Sequence, residues 1–207
     1  MYNYNDPVFT AQRKLVRWAR EHEMLLDLKS KVIRWEVLET VSPLRIPVRY
    51  RVHYHLKSIV AIDEAQMPVY GDHHIVDFEL PPGYPMETCR AYMVSDIWHP
   101  NIVSKGKDKG RICTQSDKFG TLYELPQLIL RIGEILQYKN YLAELIEPFP
   151  FDLEVAKWVR EFAEPKNIVN AKKGIATDSQ QLLSDDAGGS EISKKFVIRS
   201  FRPNNNG

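Results

Sequence analysis

Cys113 is one of only two cysteines in the chain, and it closes the stretch IWHPNIVSKGKDKGRIC directly behind a loop dense in lysine and glycine. Fourteen positions upstream, His99 heads the triplet His99-Pro100-Asn101. A thiolate is a strong nucleophile. An unperturbed thiol titrates near pH ~8.5, so a modest thiolate fraction exists at neutral pH. Lys105, Lys107, Lys109 and Arg111 crowd the preceding loop and would favour that thiolate. The plain alternative is a solvated lysine-rich surface. Asn101 can bond its own backbone, as turn residues do. Cys89, at the start of a strand in PMETCRAYMV, reads as core. The two cysteines have no CxxC or zinc spacing. His53, His55, His73 and His74 come with no carboxylate or cysteine that completes a ligand set, so they read as polar tips on a solvent-facing strand. Neither a metal nor another cofactor is expected.

The elements that must position these groups follow from periodicity. Residues 8–28 have Leu15, Trp18, Ala19, Leu25 and Leu26 near helical spacing, with basic and acidic residues between, and read as one amphipathic helix. VRYRVHYHL alternates cleanly: Val48, Tyr50, Val52, Tyr54 and Leu56 share one face, while Arg49, Arg51, His53 and His55 share the other. VIRWEVLE, HHIVDFEL and RAYMVSDI are further strands, with a turn at Tyr70 to Asp72 and a proline-rich stop at PPGYP. LPQLILRIGEILQ has Leu128, Ile132, Ile135 and Leu136 at helical spacing, and Asp152 is an N-cap for DLEVAKWVREFAE. Consecutive strands followed by helices imply an α+β fold with an antiparallel meander. The first domain is expected over 1–165. Residues 166–207 read as a polar, flexible tail interrupted by the apolar hexapeptide FVIRSF at 196–201, which would add a strand, dock on a partner or fold back on its own domain.

Composition narrows the function classes. A net charge of +1 over 207 residues gives no electrostatic case for nucleic acid or an anionic membrane. No apolar run approaches the roughly 20 residues that span a bilayer. MYNYNDPVF lacks the basic and apolar parts of a signal peptide, so a cytoplasmic protein with reduced thiols is expected.

Taken together, FELPPGYPMETCRAYMVSDIWHPNIVSKGKDKGRIC resembles the ubiquitin-conjugating enzymes, the E2 family. Their strand, Tyr-Pro dipeptide, second strand, His-Pro-Asn and Gly-x-Ile-Cys correspond here to Phe78 to Leu80, Tyr84-Pro85, Ala91 to Val94, His99-Pro100-Asn101 and Gly110 to Cys113. LPQLILRIGEIL and EPFPFDLEVAKWVREF look like the helical regions that follow, and the resemblance covers residues 10 to 164. There are departures. KGKD reads as a loop insertion, LYELP stands where the family has Trp-Ser-Pro, and Phe149 stands where an acidic residue is common. Such divergence resembles the bacterial E2-like proteins of ubiquitin-like conjugation operons, some of them antiviral.

The resemblance implies the ubiquitin-conjugating fold: an N-terminal helix, a four-stranded antiparallel meander, an active-site loop and C-terminal helices. It implies that Cys113 accepts a ubiquitin-like modifier from an E1-like activating enzyme as a thioester and passes it to an amine of a target protein. Asn101 is then catalytic, donating its amide to the oxyanion that amine attack creates, or bracing the loop that shapes the site. His99 braces the loop, since family members do not use it as a base, and Pro100 and Tyr123 support the site. Asp117, Glu147 or Asp152 would assist the incoming lysine. Arg13, Lys14 and Arg17 on the first helix form a face for the E1. Two other functions compete: a non-catalytic binding module of the same fold, and a cysteine hydrolase, which would need a histidine placed to activate the thiol.

Overall fold

The structure, a computed structural model, describes residues 1–113, 123–145, 150–171, 173–175 and 181–183. Helix α1 spans Pro7–Ala11 and α2 spans Arg13–Leu26. Strands β1 (Ile33–Val41), β2 (Ile46–Tyr54), β3 (Ser58–Ile62), β4 (Pro68–Gly71), β5 (His74–Glu79) and β6 (Arg90–Met93) follow. Then come α3 (Leu125–Leu136) and α4 (Leu153–Trp158), which runs on as a wider π turn over Val159–Ala163. A short pair, β7 (Val169–Asn170) and β8 (Gly174–Ile175), lies after it. The fold is α+β, and its main sheet is four-stranded and antiparallel, in the order β1-β2-β5-β6.

β2 sets the inner face. Tyr50, Val52 and Tyr54 are fully buried, while Arg49 is exposed and Arg51 pairs with Asp77 of β5 at 2.7 Å on the outer face. Helices α2 and α3 cover the inner face with Leu15, Trp18, Leu25, Leu128, Ile129 and Ile132. Each such side chain removed from water contributes roughly 1.5–3 kcal/mol. A second, smaller core joins Ile59 of β3, Tyr138, Tyr141, α4 and the β7–β8 pair.

Several expectations need correction. The helix over 8–28 is broken at Gln12 (φ −131°, ψ 75°), and Asp6 caps the first piece by accepting from the Val8 N–H at 2.9 Å. Leu26 falls on the exposed side, at 49%. The β3–β4 hairpin, inserted between two strands of the meander, has no counterpart in the sequence reading. His74 does not face solvent. It is buried, with Nε2 3.1 Å from the Leu56 carbonyl, and burial lowers its pKa. Part of the expected tail is packed: Val169, Ile175 and Leu182 are all buried. The hexapeptide at 196–201 lies outside the described residues.

Candidate active site

The loop between β6 and Cys113 is a hairpin whose two arms are bonded to each other. Val103 N–H donates to the Arg111 carbonyl at 3.0 Å, Gly110 N–H to the Val103 carbonyl at 2.7 Å, and Cys113 N–H to the Asn101 carbonyl at 3.1 Å. Ile102 and Ile112 form a bridge, and both are buried. The returning arm also bonds β6: Met93 N–H donates to the Gly110 carbonyl at 2.7 Å and Ile112 N–H to the Ala91 carbonyl at 3.0 Å. Residues 110–112 therefore continue the main sheet beyond β6. Cys113, half-buried, stands at the end of that rung beside the backbone of Asn101.

Gly110 makes the rung possible. Its φ is +88°, a region L side chains rarely adopt, and an added Cβ would collide with the Met93 carbonyl oxygen. The lysines sit at the hairpin's tip. Lys105 pairs with Glu154 of α4 at 2.8 Å and Lys109 lies 4.0 Å from Asp96, with lysine side chains 78% and 67% exposed. They belong to a solvated tip. Arg111 is different. Two residues from Cys113 on an extended arm, it shares that face of the chain and lies over the Phe151 ring at 5.3 Å.

The His-Pro-Asn turn is fixed by all three residues. His99 Nδ1 accepts from the Asn101 N–H at 3.1 Å. Its ring is 1% exposed and lies 4.6 Å from the Tyr138 ring. Burial pushes its pKa down from 6.5 to about 3; the Ile135 carbonyl opposes that shift, but it makes no well-formed hydrogen bond to Nε2. The imidazole is neutral, and the lone pair a general base would use is taken. The Pro100 carbonyl accepts from both Phe151 N–H (2.9 Å) and Asp152 N–H (3.0 Å), which ties the turn to the start of α4. Asn101 is 5% exposed, and its Oδ1 accepts from the Leu142 N–H at 3.1 Å. With Oδ1 engaged in this way, the NH2 is the donor end of the amide. Asp152 is buried as the cap of α4, accepting from Val155 N–H at 3.1 Å.

His99, Pro100, Asn101 and Cys113 are thus brought together. The Tyr123 carbonyl accepts from the Tyr84 hydroxyl at 3.2 Å at the start of α3. Arg13 and Lys14 are exposed on α2. Arg17 instead turns inward to Glu21, 2.5 Å away. Asp117, Glu147 and Phe149 lie outside the described residues. Cys89 is buried in the main core, and burial pushes its thiol pKa up.

Glu21 is the residue that sequence reasoning missed. It is 0% exposed and accepts from the Tyr84 hydroxyl at 2.6 Å and from the Leu125 N–H at 2.6 Å, besides its pair with Arg17. It joins α2 to the Tyr-Pro dipeptide and to the first turn of α3. A carboxylate there also suits the positive end of the α3 dipole.

No protein-family model matches the chain. Among solved structures it is similar to the human ubiquitin-conjugating enzyme E2 G1, with 15% identity over 60% of this chain and 94% of that one and a TM-score of 0.41. It is similar to the E2 domain of a Toxoplasma gondii ubiquitin conjugating enzyme, with 23% identity, coverage of 71% and 88%, and a TM-score of 0.46. A Plasmodium vivax ubiquitin conjugating enzyme E2 aligns at 17% identity, covering 58% and 98%, with a TM-score of 0.41. The α+β architecture stands on the chain's own strand order and helix placement. It matches what the motif resemblance implied, with helix, four-stranded meander, loop and helices in sequence. Among the described residues, no helix is long and apolar enough to cross a membrane.

Proposed function

We propose that the protein is an E2-like conjugating enzyme that carries a ubiquitin-like modifier as a thioester on Cys113. The observation that carries this reading is a half-buried thiol on a backbone rung bonded to Asn101, beside a histidine that is buried and neutral. A hydrolase needs a base to activate water or thiol. His99 has given its Nδ1 lone pair to Asn101 N–H. A thioester carrier needs no such base, because the thiolate attacks an already activated carbonyl.

In the proposed cycle the Cys113 thiolate attacks the thioester carbonyl of a charged E1-like enzyme, and the E1 thiol leaves. The amine of a target, a lysine in the simplest case, then attacks the Cys113 thioester. A tetrahedral oxyanion forms and collapses with loss of the Cys113 thiolate, and the amine's proton passes to solvent or a nearby carboxylate. Asn101 offers its amide NH2 toward the developing oxyanion, a contribution of roughly 10²–10³ in rate for such donors. His99 and Pro100 act as positioning residues. Arg13 and Lys14 remain the proposed contacts for an E1, with Arg17 holding the helix that presents them. The finer resemblance, to bacterial E2-like proteins of conjugation operons, draws on the longer loop and the missing Trp-Ser-Pro. Two cysteines outside any disulfide suit a reducing compartment such as the cytoplasm.

The test is non-reducing electrophoresis with intact mass after incubation with ATP, an E1-like enzyme and its ubiquitin-like modifier. Wild type, Cys113→Ala and Cys89→Ala are run together. A reductant-sensitive adduct lost only in Cys113→Ala is expected. No adduct from an E1 shown to be charged would overturn the assignment and favour a non-catalytic binding module.

A further inference from the structure

The main sheet has one edge closed and one open. At β6 the rung of residues 110–112 takes up the ladder. At β1, no strand among the described residues pairs with the outer side. Backbone directions on β1 alternate. The Val32 carbonyl accepts from the His55 N–H, so Val32 faces β2. Ile33 faces away: its N–H donates to Ser30 Oγ at 3.0 Å, and its carbonyl accepts from Arg34 Nη1 at 2.8 Å. Every second residue repeats that direction, so Trp35 and Val37 also present N–H and C=O to the open edge. Side chains alternate too. Ile33, Trp35 and Val37 stand opposite Tyr54, Val52 and Tyr50, the core-facing residues of β2, while Arg34 and Glu36 stand opposite His53 and Arg51 on the outer face. Arg34 and Glu36 are exposed, Trp35 is half-buried and Val37 is 38% exposed. The register shift between Val37 and Glu39 ends the regular run at Leu38, which is 39% exposed. An open edge with apolar side chains is a template for another strand.

We propose that β1 pairs antiparallel with β1 of a second copy of this chain, across a two-fold axis at Trp35. Charge selects this register. A two-fold strand pair must set outward-facing residues against each other. Within residues 33–37, the centrings that keep more than a single pair are those on Arg34, Trp35 and Glu36. Centring on Arg34 sets it against the partner's Arg34, and centring on Glu36 sets it against the partner's Glu36. Like charges directly opposite are destabilising. Centring on Trp35 instead sets Arg34 against the partner's Glu36 and Glu36 against the partner's Arg34. It also sets Ile33 against the partner's Val37 and Trp35 against the partner's Trp35, so the whole run is paired. Two backbone bonds join the Trp35 residues, and each Ile33 carbonyl accepts the partner's Val37 N–H. Arg34 Nη1 covers the Ser30 and Ile33 carbonyls at 2.7 and 2.8 Å in the single chain. Its swing to the partner's Glu36 uncovers the Ile33 carbonyl for the ladder and replaces neutral acceptors with a carboxylate, the stronger kind of bond. The contact is short, so the dimer is reversible. The edge used lies across the sheet from residues 110–112 and Cys113, so both thiols stay at the outer ends of a sheet that runs through the two copies. The inference stands apart from the proposed transfer chemistry.

Sedimentation velocity of the full-length protein tests it, with reductant present so that Cys89 and Cys113 form no disulfide link. Wild type is compared, over a hundredfold range of concentration, with Arg34→Glu, Glu36→Arg, the double variant Arg34→Glu/Glu36→Arg, and an equimolar mixture of the two single variants. Wild type is expected to pass from monomer to dimer. Each single variant turns two attractive pairs repulsive and should raise the dissociation constant at least tenfold. The double variant restores opposite charges and should return to within threefold of wild type. The mixture should form a heterodimer where neither single variant dimerises alone. A wild type that stays monomeric throughout the range would overturn the proposal. So would a dimer equally strong in both single variants, or a loss that neither the double variant nor the mixture repairs, since the contact would then lie elsewhere.

Discussion

The buried carboxylate of Glu21 offers the sharpest test of how the domain is held together. Glu21→Ala deletes the acceptor of two buried hydrogen bonds and one ion pair. Removing one partner of a buried pair typically costs about 3–5 kcal/mol. The three contacts are not equally exposed to that loss. The Arg17 side chain is 32% exposed and can rehydrate, so its share is discounted. The Tyr84 hydroxyl keeps a second acceptor, the Tyr123 carbonyl at 3.2 Å. The Leu125 N–H, in the first turn of α3, loses its side-chain acceptor in a buried setting, at about 1–3 kcal/mol. Together these give a loss of about 3 kcal/mol, or roughly 6–12 °C in Tm for a domain of this size. Urea unfolding followed by far-UV circular dichroism reads the change as a lower midpoint at constant slope. Glu21→Gln retains an oxygen for Leu125 N–H and is expected to recover about half of the loss. A Glu21→Ala protein within about 1 kcal/mol of wild type would refute the reasoning, because the network would then be replaceable by water or by local collapse.

Three further outcomes are expected. His99 titrates at about 3 in the folded protein against 6.5 in the free side chain. Above pH 6.5 it is neutral in both states and contributes nothing to pH dependence. Below that, the unfolded chain takes up a proton that the folded chain refuses, so stability falls as pH falls, by about 2 kcal/mol between pH 6.5 and 5. Denaturation at pH 7 and pH 5 should show a smaller drop in His99→Asn, with His74 supplying a residual change of the same sign. Gly110→Ala should destabilise by about 2–4 kcal/mol, from positive φ and the collision with the Met93 carbonyl, and proton chemical shifts at Ala91 to Met93 should move. Asn101→Asp keeps an acceptor for Leu142 N–H while removing the amide donor. Single-turnover transfer from the charged enzyme should slow by roughly 10²–10³ with folding retained. Slowing of less than threefold would leave Asn101 as a brace only.

What could be read in the sequence, and what could not, divides along physical lines. β2 was legible because its alternation has period two and its two faces differ sharply in chemistry, Tyr and Val against Arg and His. Helix α3 and the Asp152 cap were legible for similar local reasons. Cys113, Asn101 and His99 stood out because three unusual residue types bracket one loop. The break at Gln12 was not legible, since no glycine or proline marks it. The β3–β4 hairpin hides in short strands, one of which begins with proline at Pro68. Glu21 was invisible because a glutamate among arginines on an amphipathic helix reads as surface; only Tyr84 and Leu125, 63 and 104 residues away, make it a core group. The same limit applied to the loop lysines, whose distance from the thiol depends on the bridge between Ile102 and Ile112.

Two separate cores meet at the thiol. Ile102 and Ile112, which frame the arm bearing Cys113, belong to the large core under the sheet. His99 rests on Tyr138, and Pro100 receives the first amides of α4; both Tyr138 and α4 belong to the small core. The site is therefore a joint between a larger and a smaller core. Cooperative units of unequal stability open independently. Loosening of the small core would release His99 and Pro100 from Tyr138 and α4, while Asn101 and Cys113 stay bonded to each other beside the Ile102–Ile112 bridge. Substitutions around Trp158 or Tyr141 would silence the thiol's surroundings while the far-UV spectrum still reports a folded protein.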